Sequence, residues 1–245
     1  MTDKEIIEYV KCKNDIVYFI NNYCFIPYFN EKHNIKLHKY QENYFLSINN
    51  MKFNICLHSL ESGVNTMNQL YILHELIFSF DKSIVLIDVS LKKSKEALSR
   101  IKGMMEYLPD FLRIDFHVNN KKCIETKLNT KIKILSNKTP PIGFNIDILI
   151  LNNFALWNHK NKTNMMVSVL PLMSAIKDSK FIICSIPNGA EYFYKLYSDA
   201  LINMNLFYPS RIDWFDNPNR NGRWKEKKIE EIGEEKFKKS YGLNF

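Results

Sequence analysis

The chain has 245 residues, 46% of them apolar, and a net charge of +8 from 34 lysines and arginines against 26 aspartates and glutamates. That is enough apolar material for one buried core, alone or with a small subdomain, and it excludes a wholly disordered chain. The longest apolar stretches, around Leu70 to Phe80 and Ile146 to Leu156, fall short of the roughly 20 residues a membrane span needs. The opening Met1-Thr2-Asp3-Lys4-Glu5 lacks the basic-then-apolar order of an export signal, so a cytoplasmic protein with no membrane partner is expected.

The positive charge favours an anionic partner without naming it, because abundant Asn and Ile show that lysine is also a matter of residue usage here. Five cysteines (Cys12, Cys24, Cys56, Cys123, Cys184) are scattered through apolar runs with no Cys-x-x-Cys spacing. They read as reduced, small core residues rather than disulfides or zinc ligands.

In chain order, residues 1–37 look helical and aromatic, with Tyr9, Tyr18, Phe19, Tyr23 and Phe25. Apolar runs then predict strands at Phe53 to Leu57, Ile84 to Val89, Lys131 to Leu135, Ile146 to Leu151 and Lys180 to Ser185. Helical segments fall between them, the pattern of a mostly parallel sheet covered on both faces. The segment from Thr66 to Phe80 is apolar nearly all round and should be a central helix. Between Lys95 and Leu108, Ala97, Leu98, Ile101, Met104, Met105 and Leu108 share one helical face, and Pro109 ends the run. Lys160 to Lys177 predicts another helix whose Met165, Met166, Val169, Leu170 and Met173 stripe is core. Residues 38–204 are thus the expected core domain, and residues 1–37 and 205–245 are expected to pack on each other as a small flanking subdomain.

The first strand runs into Ser59-Leu60-Glu61-Ser62-Gly63-Val64-Asn65-Thr66, a turn the size of a phosphate loop. Such a loop works through backbone N–H groups, a lysine on the β- and γ-phosphates and a Ser/Thr that helps hold magnesium. Here Gly63 is followed by Val64 and Asn65, which offer neither a charge nor a hydroxyl. The strand that should end in acids ends instead in Asn152-Asn153. An amide is a weak metal ligand and no base. Losing one electrostatic stabiliser costs about 10² to 10³ in rate, and a positioned acid or base contributes roughly 10² to 10⁴. Together the substitutions predict hydrolysis near background.

The order of these segments carries a resemblance. Tyr40-Gln41, the Phe53 strand with its degenerate loop, the Tyr107-Leu108-Pro109-Asp110-Phe111-Leu112 helix ending, Phe144 to Leu156 and Ser185-Ile186-Pro187-Asn188-Gly189 together resemble the ATPase domain of the tailed-bacteriophage terminase large subunit. The tail, with Trp214 to Pro218, Arg223-Trp224-Lys225 and Glu234 to Phe245, is similar to that family as well. The resemblance covers about Asp15 to Phe245. It implies a P-loop NTPase-like α/β fold of the ASCE type, and a domain that in the family hydrolyses ATP to drive viral DNA into a capsid. It further implies that the chain stops where the linker to a nuclease domain would begin.

By position, Tyr40 and Gln41 match the adenine-side motif, Gly63 the loop glycine, Val64 the lysine, Asn65 the Ser/Thr and Thr66 the following Thr. Asn152 and Asn153 match the magnesium aspartate and the catalytic glutamate, and Ser185-Ile186-Pro187 the coupling motif. Leu60 and Ile142 replace frequent arginines. The implied nucleotide contacts are Tyr40, Gln41, Ser62, Gly63, Asn65 and Thr66, with no catalytic and no metal residue, and with ATP and magnesium held weakly if at all.

Three readings follow. One is an ATPase-deficient, nuclease-free terminase-like protein that acts by binding. A second is an active packaging ATPase with a relocated lysine, Lys92 or Lys93, and a nuclease supplied in trans. A third is an interaction module that binds portal, small terminase subunit or DNA. Double-stranded DNA is the expected partner, and an oligomer is compatible. His58 reads as a partly buried strand-end histidine. Arg211, Arg220, Arg223, Lys225, Lys227 and Lys228, with Trp214 and Trp224, read equally as a nucleic-acid track or as a solvated face.

Overall fold

The computed structural model describes residues 1–28 and 31–245. Helices α1 (Asp3–Asn14) and α2 (Ile16–Tyr23) lead into the antiparallel pair β1 (Phe25–Tyr28) and β2 (Glu31–Asn34), and then α3 (Lys39–Asn50). The chain continues through β3 (Phe53–His58), α4 (Val64–Phe78), β4 (Ser83–Ile87) and α5 (Leu91–Glu106). A meander follows, β5 (Phe116–Asn119), β6 (Cys123–Thr126) and β7 (Lys131–Leu135). The last part comprises β8 (Ile148–Asn152), α6 (His159–Ala175), β9 (Lys180–Ser185), α7 (Tyr192–Leu201), β10 (Tyr208–Ile212), α8 (Gly222–Ile232) and α9 (Glu234–Ser240).

Eight strands form one sheet in the order β10-β3-β9-β8-β4-β7-β6-β5. The first six run parallel, and β6 and β5 join antiparallel at one edge. Strand β9 separates β3 from β8, the additional strand expected of the ASCE class. The inner parallel strands are covered on both faces, so β3 and β8 are buried at every position, Asn54, His58 and Asn152 included.

Alternate residues feed two cores. Cys56, Ile84, Leu86, Ile132, Ile134, Ile150 and Ile182 face α2, α3, α4 and α5. Ile55, Leu57, Val85, Ile87, Leu149, Leu151 and Ile183 face α6 and α7. Fully burying one such side chain contributes about 1.5–3 kcal/mol. Helix α4 supplies Met67, Leu70, Tyr71, Ile72, Leu73, Leu76, Ile77 and Phe78 to the buried set, in keeping with its predicted central place.

The two flanks were expected to pack on each other. Their main contacts lie elsewhere. Cys12, Ile16, Phe19 and Ile20 enter the core under α4, with Phe19 and Phe78 edge-to-face at 5.5 Å. The C-terminal flank instead contributes β10, paired with β3, while α8 and α9 pack together through Trp224, Phe237 and Tyr241. Each flank is too short to bury its own apolar face, and the sheet offers more apolar area than the other flank does. Among the described residues no helix is long and apolar enough to cross a membrane. All five cysteines are free thiols, four of them buried.

Candidate functional site

The turn after β3 is built by restraints from distant parts of the chain. Ser59 N–H donates to the Ile212 carbonyl at 2.8 Å, extending the β3–β10 ladder, and Leu60 N–H donates to the Ser240 carbonyl at 2.8 Å. The carbonyls of Leu60 and Glu61 accept from the Arg220 guanidinium at 3.3 and 3.0 Å, and the Ser62 carbonyl accepts from the Tyr40 hydroxyl at 3.0 Å. Arg220 itself lies over the Trp224 ring at 4.5 Å, its side chain 9% exposed.

Glu61 and Gly63 both take positive φ, +58° and +86°. At Gly63 a Cβ would meet Gln41 Nε2 at 3.0 Å, so the left-handed turn and the close approach together call for glycine. Gly63 is the N-cap of α4 and gives no side-chain cap. The first-turn N–H groups after it therefore open outward at the positive end of the helix, with the loop carbonyls already engaged, which is a cradle for an anion.

What the loop lacks is a cation at the lysine position. Val64, in the lysine position, is 1% exposed and belongs to the core. Around it, His58 Nε2, Ser59 Oγ, Asn65 Oδ1 and Gln69 Oε1 are buried and find no hydrogen-bond partner among the described residues. Such groups call for water or a ligand. His58 is fully buried rather than partly so. Its Nδ1 lies 3.0 Å from the Ser59 carbonyl and 3.1 Å from Ser62 Oγ, and burial lowers its pKa to about 4.

The acid end is occupied by amides that bond inward. Asn152 Oδ1 accepts from Asn68 Nδ2 at 2.9 Å and from the Cys184 thiol at 3.2 Å, and Tyr44 donates to Asn68 Oδ1 at 2.7 Å. Asn153 is left-handed, φ +53°, and its Nδ2 donates to Asp88 Oδ1 at 2.8 Å. Asp88 sits at the end of β4 beside this pair. Burial raises its pKa against the opposing hydrogen bonds from Asn153 and the Val89 N–H. Burial also pushes the Cys184 thiol far above its ordinary range, so it stays a neutral donor. Among the described residues no cluster of three or more His, Cys, Asp or Glu could hold a metal. Buried Asn152 has its oxygen already bonded, half-buried Asn153 is an amide turned onto Asp88, and Asp88 is the one carboxylate beside them, a poor match for magnesium, which wants carboxylate oxygen and retained water.

Of the predicted contacts, the structure brings Tyr40, Gln41, Ser62 and Gly63 together, with Asn65 and Thr66 on the turn of α4 that follows. Gln41 is turned partly inward: its Oε1 accepts from the His38 N–H at 3.0 Å and caps α3. Tyr40 closes one side of a cleft of about 250 Å³ between α3 and β10, which Tyr208, Arg211 and Asp216 also line. Ser185, in the predicted coupling motif, accepts from Ala155 N–H at 3.0 Å. Buried Lys162 donates to the Ala155 carbonyl at 2.9 Å and pairs with Glu191 at the start of α7, which ties the segment after β8 to the segment after β9.

Leu60 and Ile142 are exposed. Lys93 pairs with Glu96 at 2.8 Å. Part of the C-terminal basic run is engaged within the fold, while Arg223, Lys225 and Lys227 stay exposed. Arg211 is held bidentate by Asp213, Arg220 lies under the loop, Lys228 pairs with Glu231, and Trp214 stacks on Trp224 at 5.6 Å.

No protein-family model matches the chain. Similar solved structures include phage large terminases. The large terminase ATPase domain of Thermus phage P74-26 superposes with a TM-score of 0.68 at 16% identity, over 86% of this chain and 94% of that one. The large terminase of bacteriophage HK97 gives 0.75 at 16% identity, over 95% of this chain and 55% of that one. A large terminase from a thermophilic bacteriophage, in complex with ATP-gamma-S, gives 0.64 at 12% identity, over 84% and 52%. The chain thus spans about half the length of the last two terminases. Its fold is that of the ATPase domain of phage large terminases.

Proposed function

We propose that the chain is a terminase-ATPase-like protein, related to viral DNA packaging, that acts by binding and turns over ATP poorly if at all. The observation that carries this reading is the fate of the charge positions. The lysine position is a core valine, and the two acid positions are amides, one bonded into the core and the other turned onto Asp88. The backbone cradle at Gly63 fits the phosphates of a nucleotide, while the donor set near Asn152 does not fit magnesium. Nucleotide would therefore be held by backbone N–H groups and the Tyr40 side of the cleft, with weak affinity and no organised water. Double-stranded DNA, portal or a small terminase subunit would be the macromolecular partners.

The test is DNA-stimulated ATP hydrolysis by the purified chain, alongside nucleotide binding by calorimetry. Turnover at the buffer blank, together with weak metal-independent nucleotide binding, is the expected outcome. Robust turnover by the unaltered chain would overturn the reading. A variant carrying Val64→Lys, Asn152→Asp and Asn153→Glu then tests whether restoring the charges restores hydrolysis.

A further inference from the structure

The cradle is not the only anion-directed feature on the carboxyl edge of the sheet. Helix α5 starts there, directly after β4, and the β5–β6 turn rises beside it. This turn reaches the same edge because β6 runs antiparallel to β7, with Cys123 opposite Lys133 and Ile134 N–H donating to the Lys122 carbonyl at 3.0 Å. Between helix and turn lies a groove of about 360 Å³ lined by Lys92, Lys95, Lys102 and Lys121, with Glu96 the only acid on its wall among the described residues.

The groove is a built feature. Asn120 Oδ1 accepts from the Lys122 and Cys123 N–H groups and shapes the turn, and Lys102 Nζ donates to the Asn120 carbonyl at 2.8 Å, tying the walls together. Glu96 is neutralised by Lys93 from outside. Lys92, Lys95 and Lys121 are exposed and make no ion pair among the described residues. On α5 the positions 92, 95 and 102 follow one face, and the span from 92 to 102 is about 15 Å at ~1.5 Å per residue.

We propose that duplex DNA lies with its phosphate backbone along this groove, on Lys92, Lys95 and Lys121, and not along the basic C-terminal segment. The contrast between the two surfaces supports the choice. In the C-terminal segment Arg211, Arg220, Lys228 and Lys238 are engaged by Asp213, the loop carbonyls, Glu231 and Glu234, and the exposed Arg223, Lys225 and Lys227 are interleaved with the exposed acids Glu226 and Glu230, whereas the one acid on the groove wall is already paired with Lys93. An open groove walled by lysines suits the repeated charges of a phosphate backbone. The inference rests on the DNA-partner reading above and is independent of nucleotide turnover.

The experiment is fluorescence anisotropy of a labelled mixed-sequence duplex DNA with the whole chain, titrated across salt. Wild type is compared with a groove variant (Lys92→Ala, Lys95→Ala, Lys121→Ala) and a tail variant (Arg223→Ala, Lys225→Ala, Lys227→Ala). All six are exposed positions, and circular dichroism checks the fold of each variant. Each lost phosphate contact lowers the log–log salt slope by about 0.9, so the groove variant should lose between two and three units of slope and on the order of 100-fold in affinity near physiological salt. The tail variant should bind like wild type. Wild-type binding that survives in the groove variant, or falls in the tail variant alone, overturns the groove while leaving DNA as partner. Failure of wild type to bind duplex, or displacement of duplex by polyglutamate as effectively as by unlabelled DNA, overturns both.

Discussion

Acidification should loosen this fold through His58. The ring is fully buried at the end of β3, with Nδ1 facing the Ser59 carbonyl and Nε2 facing no acceptor among the described residues. The tautomer that satisfies this environment carries its proton on Nδ1 and leaves a lone pair on Nε2. Protonation would bury both a charge and an orphan N–H, which is why the pKa falls from 6.5 to about 4. The folded pKa lies below the unfolded one, so the stabilisation is complete above about pH 6.5 and declines as the pH falls toward 4. At about 1.4 kcal/mol per unit, the loss is about 3 kcal/mol, a large share of a typical domain's stability.

The measurement is urea unfolding followed by circular dichroism between about pH 7 and pH 4, for wild type and His58→Gln. The glutamine keeps a donor for Ser59 and has no titration, so the variant should lose most of that slope. His74, also buried with a lowered pKa, and Asp88 titrate equally in both proteins and cancel in the difference. Parallel stability curves, or an imidazole titration by NMR near its ordinary value, would refute the argument.

Other consequences concern the braces around the site. Arg220→Ala removes a guanidinium shared by two loop carbonyls and an aromatic face, and should cost about 2 kcal/mol, with faster amide exchange around residues 60–62. Arg220→Lys should recover little, since a point ammonium does not reproduce the planar fork. Lys162→Met leaves Glu191 without its partner and should cost about 3–5 kcal/mol in chemical denaturation. Adding Glu191→Gln should return most of that loss, because the uncompensated charge is gone while the cap on Phe193 N–H survives.

The inner parallel strands β3, β4, β8 and β9 were legible because burial on both faces leaves mostly apolar runs, and β7 was legible from its alternating Lys-Ile-Lys-Ile-Leu; all five begin and end within about two residues of the expected bounds. Strand β10 was not legible. Its Tyr-Pro-Ser-Arg-Ile carries polar residues and a proline that only an edge strand tolerates, and its partner lies 154 positions earlier at Asn54. The four-residue strands β5 and β6 are too short for a period to register. At the site, the loop glycine and the missing charges could be read from local order. The roles of Arg220, Asn68, Asp88 and Lys162 could not, because each is defined by a contact across the fold rather than by its neighbours in sequence. Arg220 sat in the basic run, where charge alone pointed toward solvent or nucleic acid, and only the tertiary fold turned it inward.

The bonds from Arg220 and Ser240 to the turn after β3 give that turn an unusual history during synthesis. Its own residues leave the ribosome early, but its shape depends on partners about 160 to 180 residues later. A nascent chain ending before Arg220 has no guanidinium for the Leu60 and Glu61 carbonyls and no Ser240 carbonyl for the Leu60 amide. The cradle is therefore among the last parts to mature, after the helices and inner strands that surround it. A growing polypeptide held at that stage would present a sheet nearly complete and a nucleotide-facing rim still unformed.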